Sequence, residues 1–229
     1  MITKEQNDLL TLVEGDTPMG KIMRSHWLPG PLSEEVAEPD SAPVRFRLLG
    51  EDLICFRDSE GRLGVLDEFC RHRGASLAFG RNEECGLRCL YHGWKFDVNG
   101  NVVDMPSEPN HGEGLKNDAK IKSYQTREAG GFVWVWMGTS AATAEFDPPV
   151  WDCAPPEKIA VVKMHAACNW AQVLEGSIDS AHSSSLHSSN MPPAEVDGAK
   201  ATATHWPRPS RDKSPRIRFD KTDYGFSEE

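Results

Sequence analysis

The residues of this chain with the clearest chemical potential are two cysteine–histidine pairs. One residue separates Cys70 from His72, and two residues separate Cys89 from His92. Together they offer two thiolates and two imidazoles. Such a donor set can hold one tetrahedral zinc ion, or a [2Fe–2S] cluster in which one iron takes both sulfurs and the other takes both histidine nitrogens.

The residues around the two pairs favour the cluster over zinc. Zinc sites usually place about two to four residues between paired ligands, whereas only Arg71 lies between Cys70 and His72. A glycine lies just beyond each pair, at Gly74 and Gly93, where the backbone must approach a bound group closely and donate N–H groups to it. We therefore expect two short loops that each present one thiolate and one imidazole.

A second candidate metal site lies further along the chain, at Asp179, His182 and His187. The two histidines alone are a weak pattern, because five residues along a regular α-helix turn the side chains about 140° apart. The serines between them would tolerate the π-type bulge that brings both imidazoles to one metal ion. Asp179 is expected on the same helix face as His182, three residues later. Taken alone, these residues also fit an ordinary solvated polar helix.

The composition is that of a globular protein. The 229 residues, of which 38% are hydrophobic, can bury one large core or two small ones. A net charge of −10 disfavours nucleic acid as a partner. No apolar run approaches the length of a membrane span. Six cysteines behind a start without a signal-like apolar stretch predict reduced thiols in the cytoplasm.

The elements expected to position the first site are two short helices followed by antiparallel strands. The helices are predicted over residues 4–13 and from Thr17-Pro18 to Met23. Beyond them the hydrophobic period changes to two, which predicts strands over residues 44–48, 53–56, 63–66 and 130–136. Residues 95–98 and 101–103, joined by Asn99-Gly100, carry the signature of a hairpin with a primed turn. This arrangement is a small β domain with both Cys/His pairs at loop tips.

The rest of the chain predicts a second domain. A strand is expected over residues 159–164, a helix over 169–187 and a strand over 216–220. The fold class is therefore α+β. Four segments are predicted: an N-terminal helical segment (1–26), the β domain (27–140), a linker (141–156) and a partial second domain (157–229). Because no closing element precedes Glu229, we expect a fragment of a longer gene product.

These motifs resemble the catalytic α subunits of Rieske non-haem iron oxygenases. The Rieske motif is C-x-H, a long spacer and C-x-x-H, and this chain matches it at Cys70, His72, Cys89 and His92. The resemblance is strongest for the phthalate dioxygenase-like branch, through C-R-H-R-G-A-S-L, C-L-Y-H-G-W-K-F-D, D-M-P-S-E-P and L-E-G-x-I-D-S-A-H-S-S-x-L-H. It covers nearly the whole chain and implies a Rieske [2Fe–2S] domain followed by the start of an α+β catalytic domain.

The resemblance also implies roles for single residues. His182 and His187 would bind Fe(II), together with a carboxylate expected beyond Glu229. Asp179 would be the catalytic bridge that links this iron to a Rieske histidine of the neighbouring subunit. Arg208 and, less directly, Ser180 would contact a substrate carboxylate. The residues expected around the cluster ligands are Arg73, Tyr91 and Trp94.

The implied function is the oxygenase component of a multicomponent system. A separate flavin and iron–sulfur reductase would deliver electrons from NAD(P)H. O2 would then hydroxylate or O-demethylate an aromatic, carboxylated substrate, in a homotrimer or a multiple of it. Two other functions stay open at this point. One is a Rieske ferredoxin-type electron carrier, against which the second domain argues, and the other is a zinc-binding interaction module.

Overall fold

The computed structural model describes residues 2–139, 143–179, 181–182, 186, 195–196, 199–200, 216, 218–223 and 225–228. The chain divides into two compact units, Met1–Met164 and His165–Glu229. Within the described residues, no helix is both long and apolar enough to cross a membrane.

The first unit begins with the two predicted helices, α1 (Lys4–Thr11) and α2 (Pro18–Arg24). The Thr3 hydroxyl accepts a hydrogen bond from the backbone N–H of Gln6, whose side chain accepts one from the backbone N–H of Thr3. This capping box fixes the start of α1. The helix ends at Thr11, two residues before the predicted end, because Leu12 is extended. Pro18 opens α2 at a position where the missing N–H costs nothing.

The described part of the first unit then forms two antiparallel sheets. Their strands are β1 (Trp27–Leu32), β2 (Val44–Leu48), β3 (Glu51–Arg57), β4 (Leu63–Asp67), β5 (Arg81–Glu83), β6 (Gly86–Arg88), β7 (Lys95–Phe96), β8 (Val102–Asp104), β9 (Ser123–Ala129) and β10 (Phe132–Trp136). The larger sheet has the order β1-β10-β9-β4-β3-β2, and the smaller one has the order β5-β6-β7-β8. The predicted antiparallel β domain and the α+β class are confirmed.

The larger sheet carries a hydrophobic core on each face. Leu53 and Cys55 of β3 join one core, and Ile54 and Phe56 join the other. All four side chains are buried, which explains why this strand is a continuous apolar run rather than an alternating one. The second core also contains Phe96 of the smaller sheet together with Cys70 and Cys89, so the two cysteines of the candidate site belong to the packed interior.

The primed hairpin turn lies elsewhere than predicted. Between β7 and β8, Asp97 N–H bonds Asn101 C=O across a three-residue loop, and the Asp97 carboxylate accepts the N–H groups of Asn99 and Asn101. Only Gly100 of that loop has a positive φ, so the predicted primed turn is wrong there. A two-residue turn with positive φ at both positions joins β9 to β10 instead, at Gly130 (58°) and Gly131 (84°). The strand predicted over residues 130–136 therefore begins only after these two glycines.

The strand predicted over residues 159–164 is also wrong. This segment has no regular secondary structure, and Val162 and Met164 are 81% and 90% exposed. An apolar run becomes a strand only when another strand pairs with it. The preceding residues 150–153 form a short 3-10 turn that packs on the β9–β10 hairpin. There, Trp151 Nε1 donates to Gly130 C=O, and Gly130 N–H donates to the Asp152 carboxylate.

The described part of the second unit contains one helix and two hairpins. They are α3 (Trp170–Ile178), β11 (Glu195–Val196) with β12 (Ala199–Lys200), and β13 (Phe219–Thr222) with β14 (Gly225–Glu228). Asn169 caps α3 by accepting the N–H of Ala171 at 2.9 Å. The strand predicted from Arg216 begins at Phe219 instead, and Arg216 and Arg218 lie outside it.

Candidate metal centre

The two Cys/His pairs lie on two six-residue loops with the same backbone frame. The first loop, 70–75, is closed by the antiparallel bridge of Phe69 with Ser76, and the second, 89–94, is closed by the pairing of β6 with β7. In each loop the N–H of the first residue bonds the carbonyl of the sixth. The N–H of the fifth residue bonds the carbonyl of the first. Cysteine occupies the first position in both, while histidine occupies the third position in one and the fourth in the other.

Glycine occupies the fifth position of both loops for a conformational reason. Gly74 has φ 67° and Gly93 has φ 78°, a left-handed conformation that side-chain-bearing residues rarely adopt. Gly93 is also constrained by space, since a Cβ atom there would lie 2.7 Å from Cγ of Pro106. The backbone conformation of the turn is therefore enough to explain why glycine occupies this position in both loops.

The thiols of Cys70 and Cys89 are buried and form no disulfide. Burial raises the pKa of the Cys70 thiol to about 11, while hydrogen bonds from the backbone N–H groups of His72 and Arg73 act in the opposite direction. Cys89 is close enough to raise this pKa further. Backbone donors that point at a sulfur stabilise a thiolate, which is the form that binds a metal.

The imidazoles of His72 and His92 lie side by side at the edge of this core. Their ring centroids are 4.5 Å apart, and the planes are inclined by 67°. His72 stacks in parallel on Trp94, with ring centroids 4.6 Å apart, and Tyr91 lies 3.9 Å from His92. These contacts agree with the predicted positions of Trp94 and Tyr91 around the ligands, whereas Arg73 contributes its backbone N–H and is exposed.

The inner nitrogen of His72 fits a metal bond. Nδ1 is buried and has no hydrogen-bond partner among the described residues. A buried polar atom without a partner is costly unless a bound group satisfies it. Burial, followed by the proximity of His92, lowers the pKa of His72, which favours the neutral ring, whose Nδ1 can offer a lone pair. The donor set of two buried thiols and two imidazoles therefore suits a [2Fe–2S] cluster of the Rieske type.

Charged side chains outside the two loops stabilise the loop backbone. The sequence pattern does not identify these side chains. Arg88 donates to the carbonyl of Gly93 at 2.8 Å and to Asp104 at 2.8 Å. Beside the first loop, Glu68 accepts hydrogen bonds from Arg45 at 2.7 Å and from Ser76 at 2.5 Å. Arg88 directly precedes Cys89, and Glu68 lies two residues before Cys70. No spacing rule identifies residues that support a cluster loop in this way.

The second candidate site is described only in part. Asp179 and His182 meet, with Oδ2 3.4 Å from Nδ1, but they do not share a helix face as predicted. Helix α3 ends at Ile178 and Asp179 is extended. The Asp179 carboxylate accepts the N–H of Ala181, a local bond that competes with continued helix. The remaining predicted residues of this region, His187, Ser180 and Arg208, lie outside the described residues.

Two family models match the regions that contain the two candidate sites. A family model described as the Rieske [2Fe-2S] domain matches residues 26–125, and one described as LigXa C-terminal domain like matches residues 135–228. The chain is 58% identical over 99% of its length to the phthalate 4,5-dioxygenase oxygenase subunit of Pseudomonas putida, covering 51% of that protein.

Two further relatives have related names. The 3-chlorobenzoate-3,4-dioxygenase oxygenase subunit of Comamonas testosteroni is 43% identical over 85% of this chain and 44% of its own length. The 5,5'-dehydrodivanillate O-demethylase oxygenase subunit of a Sphingobium species is 35% identical over 99% of this chain and 51% of its own length. The chain thus spans about half the length of the curated relatives it matches. All four donor residues of the two loops fall inside the matched Rieske segment, and the chain belongs to the family of Rieske oxygenase α subunits, with the [2Fe–2S] domain that defines it.

Proposed function

We propose that this chain holds the cluster of an oxygenase component through Cys70, His72, Cys89 and His92. The observation that carries the proposal is the pair of matched loops, which bring two buried thiols and two imidazoles together and leave His72 Nδ1 without a hydrogen-bond partner in the part of the chain that the structure describes. Hydrogen bonds within each loop and from Arg88 define the backbone that carries these ligands.

The proposed electron path leaves the cluster on its histidine side. The sulfur ligands Cys70 and Cys89 are only 3% and 2% exposed, whereas the His72 side chain is 20% exposed. Leu90 and Tyr91, beside His92, are 57% and 63% exposed. An electron donor or acceptor can therefore approach the imidazoles more closely than the sulfurs.

The proposed second centre is a mononuclear iron site that uses His182 and His187 together with a carboxylate ligand. Asp179 can accept a hydrogen bond from the His182 imidazole, orient it and act as the bridge to the cluster of a neighbouring subunit. When bound, the two metal centres supply one-electron transfer and the activation of O2 beside the substrate. The names of the relatives, which are oxygenase subunits, support this assignment.

The proposed substrate is an aromatic carboxylate, bound by Arg208 and Ser180, and the reaction is hydroxylation or O-demethylation. Two relatives are named for phthalate and 3-chlorobenzoate, both carboxylated aromatic compounds, and a third is named for O-demethylation. The proposed partners are a flavin and iron–sulfur reductase fed by NAD(P)H, and further copies of the chain in a homotrimer or a multiple of it. A cytoplasmic location is proposed on the six free cysteines.

Metal analysis and spectroscopy test the cluster. The purified chain should be reddish-brown and contain about two irons and two sulfides. His72→Ala and Cys89→Ser should lose both, whereas Cys153→Ser, which alters an exposed cysteine, should retain them. Colourless protein that holds stoichiometric zinc and accepts no reconstituted cluster contradicts the proposal.

A single-turnover experiment tests the oxygenase role. The cluster is reduced, then mixed with O2 and phthalate or 3-chlorobenzoate, and its reoxidation is followed together with product formation. Iron in excess of about two per chain and a hydroxylated product are expected. A protein with the cluster alone, which reoxidises at the same rate without substrate and forms no product, is an electron carrier.

A further inference from the structure

The loop that follows β8 brings a carboxylate to the outer side of the candidate cluster. Glu108 Oε1 lies 3.9 Å from Nε2 of His72, and the two side chains are 23% and 20% exposed. The opposite nitrogen of the same ring, Nδ1, is buried and has no hydrogen-bond partner within the described ranges of the chain. His72 is thus held between the interior of the site and Glu108.

We propose that Glu108 is a positioning residue that orients His72 from outside and lowers the reduction potential of the cluster. The parallel stack on Trp94 fixes the plane of the His72 ring. A carboxylate 3.9 Å from Nε2 favours the orientation in which Nε2–H points outward, because Nε2–H is the donor that remains once Nδ1 is used inward. The inference rests on the proposed ligand role of His72.

The potential is affected because Glu108 carries a full negative charge next to a ligand. Reduction adds one electron to the cluster, and a nearby negative charge opposes it. The charge of Arg73, the residue after His72, has the opposite sign. Arg73 itself is exposed, so solvent weakens its effect more than it weakens that of the partly buried Glu108.

The backbone of the loop holds Glu108 in place. Glu108 N–H donates to Met105 C=O at 3.0 Å, and His111 N–H donates to Glu108 C=O at 3.1 Å. Asn110 and His111 both have positive φ, which turns the chain sharply after Glu108. The His111 ring returns to Asp104, with Nδ1 3.4 Å from the carboxylate. These contacts anchor the loop on β8, beside the second cluster loop.

Glu108→Gln tests the proposal, since it removes the charge and preserves the shape. The matched control is Glu113→Gln, which removes one negative charge from an exposed position of the same loop. The potential of the reconstituted chain is measured at constant pH by mediated titration followed by electron paramagnetic resonance. Glu108→Gln should favour the reduced state about tenfold, which is a rise of about 59 mV for a one-electron couple. Glu113→Gln should leave the potential unchanged.

Glu108→Asp provides a second measurement, because it keeps the charge on a shorter side chain. It should raise the potential by less than Glu108→Gln does, and it decides the question if the glutamine variant loses its cluster. Equal potentials in wild type and both Glu108 variants, or equal shifts in Glu108→Gln and Glu113→Gln, overturn the role of Glu108 and leave the proposed function standing. Wild-type protein that binds no cluster overturns the proposed function itself.

Discussion

At the scale of the residue, the two cluster loops are one backbone design used twice. Both open with cysteine, both place glycine fifth, and both close with the same pair of backbone hydrogen bonds. The histidine shifts from the third position (His72) to the fourth (His92), and the two rings still end 4.5 Å apart. The spacing between cysteine and histidine differs between the two pairs because the histidine occupies a different position of the same backbone turn.

The two glycines should respond differently to alanine. Both substitutions place a side chain at positive φ, which costs roughly 1–2 kcal/mol. Gly74 has no atom within 4 Å of a new Cβ, whereas Gly93 would have Pro106 Cγ at 2.7 Å, on a ring that cannot rotate away. We expect Gly74→Ala to keep most of the cluster and Gly93→Ala to lose it, as measured by iron and sulfide content. Equal retention would show that the second loop can shift.

Among the elements, a partly buried cluster of charged side chains joins segments that are distant in sequence. Glu51, at the start of β3, accepts from Arg24 of α2 at 3.1 Å, from Lys122 at 2.5 Å and from the Tyr124 hydroxyl of β9. Arg24 also donates to the carbonyls of Val13 and Leu49. These hydrogen bonds attach the N-terminal helices to the larger sheet. Helix α1 has no buried residue, so its hydrophobic contacts do not provide this attachment.

Glu51→Gln should destabilise the protein in a pH-dependent manner. Burial raises the pKa of Glu51, but the hydrogen bonds from Lys122, Tyr124 and Arg24 outweigh it and the net pKa is below the ordinary 4.5. The stabilisation is therefore present above pH 4.5 and is lost as the pH falls through the folded-state pKa. At pH 7 we expect a loss of about 1.5–3 kcal/mol in urea unfolding, narrowing below pH 4.5.

The control for Glu51 is Glu14→Gln. Glu14 is 69% exposed and lies 3.6 Å from Arg47, so its removal should cost less than about 0.5 kcal/mol at any pH. A difference between Glu51→Gln and wild type that stays constant from pH 7 to pH 3 would contradict the role assigned to the ionised carboxylate.

Arg88→Met should weaken the second cluster loop specifically. It removes the donor to the Gly93 carbonyl and leaves Asp104 without its partly buried partner, a loss of roughly 2–3 kcal/mol. Arg88 also forms an ion pair with Glu83. Arg81→Met is the matched control, because Arg81 pairs with Glu83 too but is 59% exposed. Cluster release on titration with a chelator should be faster in Arg88→Met only. Equal release rates in the two variants would remove Arg88 from the site.

At the scale of the whole molecule, the chain consists of two compact units, of which the first contains both hydrophobic cores and both cluster loops. The predicted domain boundary, with a linker at 141–156, stays a proposal. Trp151 and Asp152 of that segment bond the β9–β10 turn at Gly130, which adds residues after 140 to the first unit.

Residues 1–164 should therefore fold and hold the cluster without the second unit. We expect residues 1–164 to have the same absorption spectrum and iron content as the 229-residue chain. The two proteins should also lose their colour at the same unfolding midpoint. A shorter chain of residues 1–140 should be less stable, because it lacks Trp151 and Asp152. If both truncated chains unfold at the same midpoint, the docking of the 3-10 turn contributes nothing and the predicted linker begins at 141 as proposed.

Several features were predictable because their causes are local. The Cys/His spacing identified the donor set, and the period-two pattern of residues 44–48 identified a strand, since both follow from residue type and sequence distance. Local patterns also misled. Asn99-Gly100 predicts a primed turn, yet the Asp97 carboxylate two residues earlier closes a longer loop. The apolar run 159–164 predicts a strand, yet no described strand pairs with it.

The residue types and their spacing predict two thiols and two imidazoles in a Rieske motif, and they also predict that Asp179 lies close to His182. The surroundings of these residues depend on the tertiary fold. Arg88 beneath Gly93, Trp94 stacked on His72 and Glu108 at its outer nitrogen are set by how loops fold over one another. The reason is physical, because ligand identity follows from the side chains present, whereas their orientation and electrostatic environment follow from contacts between loops that the order of residues does not specify.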